Sequence, residues 1–383
     1  MQMKRKTLAF LFVALLFSFP VYATLNPVNV TNALTQGAGY GIVITNNYLY
    51  LSSGHFEIFD ISNPVSPIML SSIDMSFGGR GGGGAISLSG NYAYVVNSIG
   101  PPCDGYIAIL DVSNPTNPTQ AGVISGSFCD VTASGHYVYA DAFIYDVSNP
   151  AMPLQIGQIN GYGPTAIRGP YAYKASDNAT QILLVYDISD PANPKQLNAG
   201  SPSISSPGFG LELSGDYAYV ATYTNCGLAI FDISTPTNPI PVKCLQVWTV
   251  GLAVSGNYAY ALGGGSCSII DVSDPTNATR VADITGLLNS GMAVKGNYAY
   301  FATFGLNIYS LGLEPPLLSI LSTPTNVLLS WPSPTGSFAI QQNFDLNPAH
   351  WTTLPNVSVV VGSQNQVNLS RPQGNMFYRL ITQ

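Results

Sequence analysis

The chain has 383 residues, of which 12 are Lys or Arg and 19 are Asp or Glu, giving a formal net charge of −7. Only 8% of the residues are charged, and 38 Gly, 28 Pro and 23 Tyr favour short strands and tight turns over helices or disorder. An acidic chain without clustered Lys and Arg is unsuited to phosphate, so we do not expect nucleic acid as a partner.

Residues 1–23 have the pattern of a signal peptide. Three basic residues at 4–6 precede an apolar run over 7–19, and Ala23 ends a small-residue cleavage site. The run is too short to cross a bilayer, and no second such run follows in the mature chain. We therefore predict an exported protein, extracellular or at the cell surface, with cleavage after Ala23.

Two motifs alternate along residues 24–313. Tyr-x-Tyr recurs at intervals of 34 to 46 residues, which is the length of one propeller blade. Its seven copies begin at Tyr48, Tyr92, Tyr137, Tyr171, Tyr217, Tyr258 and Tyr298. Asp-(Ile/Val)-Ser-x-Pro begins at Asp60, Asp111, Asp146, Asp187, Asp232 and Asp271, and Ser310 replaces the Asp in a degenerate seventh copy. The alternation predicts an all-β, seven-bladed β-propeller.

Each unit is predicted to form four strands. A short apolar strand and a Gly-Asn turn precede Tyr-x-Tyr, whose rings share one face because side chains alternate along a strand. We expect these rings to pack between blades, although a sugar-stacking platform is an alternative. The motif Asp ends the third strand and caps a turn. The doubled carboxylates of Asp187/Asp190 and Asp271/Asp274 leave an ion site open as an alternative.

The motif segments AILDVSNPTNP, LVYDISDPANP, AIFDISTPTNP and SIIDVSDPTNA resemble the LVIVD repeats of exported bacterial proteins. The resemblance covers roughly residues 24–313 and departs from the pattern at the seventh copy and at Ala278, which replaces the second Pro. It implies a β-propeller and a surface location, and it implies no established activity.

Two further segments complete the expected organisation. The last repeat lacks a fourth strand, whereas residues 26–35 precede the first repeat and have no blade, so this segment should close the ring. Residues 314–383 are predicted to form a small β-sandwich. Its Trp331 strand and the late segment Phe377–Leu380 are similar to fibronectin type III domains, without that fold's final strand.

The sequence offers little for catalysis. His55, His136 and His350 lie in unrelated parts of the chain, so neither a His-based acid–base pair nor a metal site is expected. The glycine-rich segment 77–84 precedes a strand, which favours a loop over a phosphate cradle. We expect no catalytic residue, no metal and no cofactor.

The five cysteines suggest disulfides in an oxidising compartment. If the third and fourth strands of the fifth repeat pair symmetrically about the turn at 232–238, Cys226 lies opposite Cys244. Cys103 and Cys129 are a second candidate pair, although Cys129 overshoots its hairpin register. Cys267 would remain a free thiol.

Function is predicted at one rim of the ring. The regular turns after the first and third strands fall on one rim, and the irregular loops after the second and fourth strands fall on the other, where binding groups collect on rigid scaffolds. The candidate contacts are Arg80, Tyr106, Phe128, Tyr162, Lys174, Tyr223 and Trp248. We expect a monomeric, non-catalytic protein that binds a protein or glycan at the cell surface. The alternative is a secreted propeller enzyme, a lyase or hydrolase, acting on polysaccharide.

Overall fold

The computed structural model describes residues 27–33, 35, 41–75, 83–98, 103–161, 163–176, 182–198, 208–222, 226–287, 291–303, 305–311, 318–332, 338–347, 350–355, 358–361, 364–372 and 374–382. Every structural statement below concerns these residues. The predicted signal peptide lies outside them. No helix among them is long and apolar enough to cross a membrane.

Seven four-stranded antiparallel sheets form the first and larger part of the chain. Blade 1 consists of β2 (Gly41–Thr45), β3 (Tyr48–Ser52), β4 (His55–Asp60) and β5 (Ile68–Asp74). Blade 2 consists of β6 (Ile86–Ser89), β7 (Tyr92–Ser98), β8 (Asp104–Asp111) and β9 (Thr119–Ser127). Blade 3 consists of β10 (Val131–Ser134), β11 (Tyr137–Ala140), β12 (Phe143–Asp146) and β13 (Leu154–Gln158).

The next three blades repeat this order. Blade 4 consists of β14 (Thr165–Arg168), β15 (Tyr171–Ala175), β16 (Leu183–Asp187) and β17 (Lys195–Gln196). Blade 5 consists of β18 (Gly208–Ser214), β19 (Tyr217–Thr222), β20 (Leu228–Asp232) and β21 (Ile240–Leu245). Blade 6 consists of β22 (Gly251–Ser255), β23 (Tyr258–Gly263), β24 (Ser266–Asp271), a 3-10 turn at Pro275–Asn277 and β25 (Thr279–Thr285).

Blade 7 closes the ring. Its own strands are β26 (Gly291–Lys295), β27 (Tyr298–Ala302) and β28 (Leu306–Ser310), and the outer strand is β1 (Val28–Ala33), antiparallel to β28. The first strands of successive blades contact one another all the way round, including β26 against β2. They therefore surround the axis, and the predicted seven-bladed propeller closed by the N-terminal strand is confirmed.

The tyrosine motif builds the contacts between blades. The second Tyr of each copy is almost fully buried and packs on the small or aliphatic residue between the two motif positions of the next blade. The pairs are Tyr50 with Ala93, Tyr94 with Val138, Tyr139 with Ala172, Tyr173 with Ala218, Tyr219 with Ala259, Tyr260 with Ala299 and Tyr300 with Leu49. Burial raises the pKa of these phenols, as for Tyr94, which reaches about 12. The second ring of each motif therefore packs between blades as predicted, whereas the first ring is partly exposed.

The aspartate motif caps its turn and also docks on the preceding blade. In all six copies one Asp Oδ1 accepts the backbone N–H of the motif Ser, at 2.8–2.9 Å. The motif Pro carbonyl then lies against the outer strand of the blade before it. A Cβ at Gly122 would lie 1.8 Å from Pro150 O, and Ser71 Oγ donates to Pro115 O at 2.7 Å. A glycine or a serine at this outer-strand position makes the close approach possible.

Two further sheets form a β-sandwich after the propeller. One sheet has the order β29 (Ser319–Ser322), β30 (Asn326–Pro332), β34 (Gln364–Ser370), β33 (Val359–Val361). The other has the order β32 (Thr352–Thr353), β31 (Phe338–Asn343), β35 (Phe377–Thr382). Trp331 and Val367 of the first sheet share a buried core with Ile340 of the second. The predicted sandwich is confirmed, whereas its likeness to fibronectin type III stays a prediction.

Candidate functional site

The two rims of the propeller differ in how regular they are. Tight hairpins and Asp-capped turns form the regular rim, and the connections after each second and fourth strand form the opposite, irregular rim. At the regular rim, side chains at the ends of first strands bond to the next blade's hairpin turn. Ser89 Oγ donates to Gly135 O, and Lys295 Nζ of blade 7 donates to Asn46 O of blade 1. This rim therefore serves mainly to join the blades.

Two disulfides fasten the irregular rim. Cys226 is joined to Cys244, and Cys103 to Cys129, with Cα–Cα distances of 5.3 and 5.2 Å, while Cys267 is a buried free thiol. The predicted pairing is confirmed, but the register argument behind it was wrong. Cys244 lies opposite Ala229, because Asp232 pairs with Ile240 and not with Asn238 at the turn, and a β-bulge between Ile230 and Phe231 then shifts the register by one more residue. Cys226 reaches Cys244 from the loop before β20.

Trp248 is the predicted contact that stands out on the irregular rim. It lies in the link between β21 and β22, and 60% of its surface is exposed. Its indole rests on the hairpin between β23 and β24: a Cβ at Gly263 would lie 2.7 Å from Trp248 Cδ1, and one at Gly264 would lie 3.9 Å from Trp248 Cγ. The two glycines give the ring a flat support and leave much of it facing solvent.

The other described candidates lie deeper. Phe128 is 2% exposed and packs edge-on against Tyr145 in the core between blades 2 and 3. Tyr106 is partly buried, and its hydroxyl accepts a hydrogen bond from Asn97 Nδ2 at 2.8 Å. Lys174 is fully buried. Phe128 and Lys174 are thus withdrawn from the surface by their packing. Arg80, Tyr162 and Tyr223 lie outside the described residues.

The first strands of the seven blades surround the axis of the ring. The residues paired with the second motif Tyr form a ring at its middle, and all of them are at least partly exposed. This middle ring consists of Val43, Ser87, Thr132, Ala166, Glu212, Ala253 and Ala293. The residues two positions earlier in each first strand lie nearer the irregular rim and are called the mouth ring. They are Gly41, Ala85, Asp130, Pro164, Gly210, Gly251 and Gly291. Each of these two rings carries one carboxyl group among small residues.

Glu212 is the ionisable group of the middle ring. Its neighbours Leu211 and Leu213 pack toward blade 4, so its own side chain points the other way. The side chain is exposed to solvent, yet surrounding protein desolvates the carboxyl and raises its pKa to about 7. By this alternation and by its pairing with Tyr219, the side chain lies on the face of blade 5 that packs against blade 6. No ion pair joins it to another described residue.

A buried charge cluster adjoins the mouth ring. Lys174 Nζ of blade 4 donates to Asp141 O at 2.7 Å, to Gly163 O at 2.9 Å and to Thr165 Oγ1 at 3.2 Å. Asp130 Oδ2 accepts the Thr165 N–H at 3.3 Å, and Asp141 Oδ2 accepts the Cys129 N–H at 2.9 Å. Burial raises the pKa of both carboxyls, and Lys174 partly offsets that effect. Asp141 Oδ1 is buried without a partner among the described residues.

Reading the sequence residue by residue missed the acidic groups, but the repeat contained a signal for them. When the blades are aligned on Tyr-x-Tyr, Lys174, Asp141 and Glu212 stand where the other blades have small, hydroxyl-bearing or apolar residues. Glu57 is a fourth exception, fully buried in β4 and bonded to Ser53 Oγ at 3.1 Å. Comparing equivalent positions across the repeats would have identified the three acidic residues and shown Lys174, already a predicted contact, as a further exception.

The family comparison agrees with this architecture. The model of the LVIVD repeat matches seven segments that together cover more than half of the chain, residues 36–75, 81–124, 125–160, 165–197, 210–244, 249–284 and 289–308. The comparison with curated proteins gives no match.

Solved structures share the fold at low sequence identity. The WD40 β-propeller domain of Doa1 has a TM-score of 0.54 at 9% identity, covering 75% of this chain and 97% of that one. A periplasmic gluconolactonase of Pseudomonas aeruginosa has a TM-score of 0.53 at 14% identity, covering 71% and 88%. A functionally unknown protein of Desulfotomaculum acetoxidans has a TM-score of 0.54 at 14% identity, covering 68% and 89%. Identities this low establish the propeller fold and nothing about activity.

Proposed function

The chain belongs to the LVIVD-repeat family, and from this premise we propose that it is an exported, non-catalytic binding protein whose irregular rim engages a protein or glycan at the cell surface. The observation that carries the proposal is Trp248, a large aromatic side chain held in an exposed position. Two disulfides support export, because such bonds persist in oxidising compartments. We expect the protein to act as a monomer.

Trp248 has the properties of a binding anchor. Tryptophan is enriched among the residues that dominate binding energy, and its rigid ring loses little conformational entropy on binding. The Gly263–Gly264 support fixes the ring before any partner arrives, and Thr249 Oγ1 adds a bond to Val247 O at 3.0 Å within the same link. A pre-positioned aromatic face avoids part of the ordering cost of association.

The fastened loops around Trp248 support the same reading. The Cys226–Cys244 bond lies at the blade 5 end of the link that carries Trp248. Gly227 lies so close to this link that a Cβ there would meet Val247 O at 1.4 Å. The rim at blades 5 and 6 is therefore held by a covalent bond and by close backbone packing, which suits a preformed binding surface.

The test is a binding screen against glycans and surface extracts, followed by alanine substitution. Trp248→Ala should weaken the partner found by about 10- to 100-fold and leave the melting temperature nearly unchanged, because the ring is largely outside the core. Met152→Ala removes an exposed side chain from the regular rim and serves as the matched control. Equal affinities for the parent and Trp248→Ala, or a larger loss in Met152→Ala, would place binding elsewhere.

A second candidate function is an enzyme that acts on polysaccharide. Glu212 favours it, because a carboxyl with a pKa of about 7 suits a general acid. Asp130 of the mouth ring would be the second carboxyl group. The neighbour from Pseudomonas aeruginosa is named a gluconolactonase, but 14% identity carries only the fold. Release of reducing ends or unsaturated products from polysaccharide, lost in Glu212→Gln, would favour the enzyme over the binding protein.

A further inference from the structure

The narrower sheet of the β-sandwich ends in a long edge strand. Its order is β32, β31, β35, so β35 (Phe377–Thr382) pairs with β31 on one side. No strand among the described residues pairs with its other side. Alternate residues of an antiparallel strand direct their N–H and C=O groups to opposite sides. About half of the backbone polar groups of β35 therefore point toward a side where the described chain offers no partner strand.

The other edge strands of the sandwich are short, and β35 is not. β29, β32 and β33 have four, two and three residues, whereas β35 has six. Proteins also protect sheet edges with proline, with β-bulges or with charged side chains. β35 contains no proline, and its pairing with β31 runs from Phe377 to Thr382 without a register shift. It is thus a regular strand on which a further strand can pair.

The one charged side chain of β35 does not guard the free edge. Arg379 lies opposite Gln341 of β31, and its Nη2 and Nε donate to Gln341 Oε1 at 2.7 and 2.9 Å. Its guanidinium also lies 4.2 Å from the ring centroid of Trp351. The bonds to Gln341 hold the charge on the β31 side of the strand, away from the free edge.

The core beside β35 is incompletely covered. Leu380 lies opposite Ile340 of β31, and both side chains pack in the core of the sandwich. Ile340 is 4% exposed, whereas Leu380 and its core-facing neighbour Tyr378 remain partly exposed. The strand order accounts for this difference, because Ile340 has a neighbouring strand on each side and Leu380 has one on a single side.

The facing sheet is wider than the sheet that covers it. Opposed residues of antiparallel strands share a face, so Ile320, opposite the buried Leu329, lies on the core side. Val360 lies on the core side too, because it is opposite Asn365, which is opposite the buried Trp331. Ile320 and Val360 are nevertheless 53% and 60% exposed. A four-stranded sheet packed on a three-stranded one leaves room for another strand in the narrower sheet.

The strand order indicates where that strand belongs. An immunoglobulin constant-type sandwich has strands A, B, E and D in one sheet and C, F and G in the other. β29, β30, β34 and β33 match A, B, E and D in order, β31 and β35 match C and F, and β32 lies on the far side of β31. No strand among the described residues takes the position of G, which is the free side of β35.

We infer that the free edge of β35 accepts an extended segment of a partner protein, which adds a strand at the position of G. Strand addition gains affinity from main-chain hydrogen bonds and specificity from alternate side chains. The incoming segment has apolar residues at every second position, because these join Tyr378 and Leu380 on the core. A second copy of this chain fits less well, since the Tyr378 and Leu380 of its own β35 already pack on its own core. The inference goes beyond rim binding and does not depend on Trp248.

Hydrogen–deuterium exchange of the full chain tests the inference. The probe is a short peptide of alternating Thr and Val, and its control is the same peptide methylated at every backbone nitrogen, which keeps the side chains and removes the donors. The probe should protect about three further amides of β35, since alternate N–H groups point to the free edge. Methylation should weaken binding by about tenfold or more, because several main-chain hydrogen bonds are lost.

A fused strand provides a second, intramolecular measurement. The same Thr/Val sequence is joined to the C-terminus of the chain through a glycine-rich turn, which raises its effective concentration at the edge. This variant should show the β35 protection without added peptide and should no longer bind the free peptide.

Four results would overturn the inference. The first is unchanged exchange of β35 with both the free peptide and the fused strand, and the second is equal binding of the probe and its methylated control. The third is protection confined to β29 or β33. The fourth is a parental dimer by sedimentation whose β35 amides are already protected, which would assign the edge to a second copy. Trp248→Ala should bind the probe like the parent, so loss of the rim partner and loss of strand addition are separable.

Discussion

Gly122→Ala should destabilise the propeller because the outer strand of blade 2 admits no side chain at this position. A Cβ there would lie 1.8 Å from Pro150 O and 2.8 Å from Pro150 C, whereas real Cβ contacts essentially never fall below 3.0 Å. Both neighbouring atoms belong to backbone, so no side chain can rotate away. The Asp146 turn of blade 3 must retreat by more than 1 Å, which loosens its packing on blade 2.

Two opposing effects determine how much Gly122→Ala changes the free energy of unfolding. Overpacking typically costs about 1–3 kcal/mol, whereas replacing Gly by Ala recovers about 0.4–1 kcal/mol by restricting the unfolded chain. We expect a net loss of about 1–2 kcal/mol. For a domain of this size, this loss lowers the melting temperature by about 2–6 °C.

Thermal melts followed by circular dichroism measure the effect. Gln120→Ala changes an exposed residue on the same strand and is the control that should melt like the parent. Gly157→Ala is the parallel case, because its Cβ would lie 2.1 Å from Pro191 O of the next blade. A Gly122→Ala protein that melts within error of the parent refutes docking of the motif turn on the preceding blade.

Three other predictions concern closure, the disulfide and pH. Deleting residues 24–36 removes β1, so the melting temperature should fall severely, and a truncated protein that melts like the parent contradicts closure. Replacing Cys226 and Cys244 by Ser should cost about 3 kcal/mol through the unfolded chain, seen as a lower urea midpoint, and non-reducing peptide maps should join these residues. The folded-state pKa of Glu212, about 7, exceeds its ordinary 4.5. The stability that this group contributes is therefore full below 4.5 and lost as the pH rises through 7. Glu212→Gln should raise the melting temperature at alkaline pH and leave it unchanged in acid. A rise in acid without a rise at alkaline pH would show that the pKa of Glu212 is not raised in the folded protein.

The fold could be predicted because each blade repeats the same two sequence motifs. Tyr-x-Tyr determines which face of its strand carries the bulky side chains, and the Asp motif determines where the turn after the third strand falls. Seven copies of these motifs therefore predicted both the number of strands and the closure of the ring. The Cys226–Cys244 pairing also followed from hairpin geometry, but its register did not. The wider turn, which pairs Asp232 with Ile240, and the β-bulge between Ile230 and Phe231 are local adjustments that strand alternation does not reveal.

The candidate site could be predicted only in part, because exposure depends on contacts between blades. Trp248 and Phe128 are both aromatic residues in rim connections, yet one is exposed and the other fills the core beside blade 3. Lys174 is a clearer case. The oxygens that hold its ammonium group include Asp141 O, 33 residues away in another blade. No pattern within a single repeat could indicate that contact.

Three exceptions to the repeat place charged residues where the propeller fold does not require them. At the positions of Asp141, Lys174 and Glu212, the other blades do without a buried or enclosed charge, so the propeller does not need one there. Such charges lower stability unless they are well paired. Asp141 still has an unpartnered oxygen, and the raised pKa of Glu212 means that its ionised form is disfavoured by the fold. The fold alone therefore does not explain why charged residues stand at these three positions.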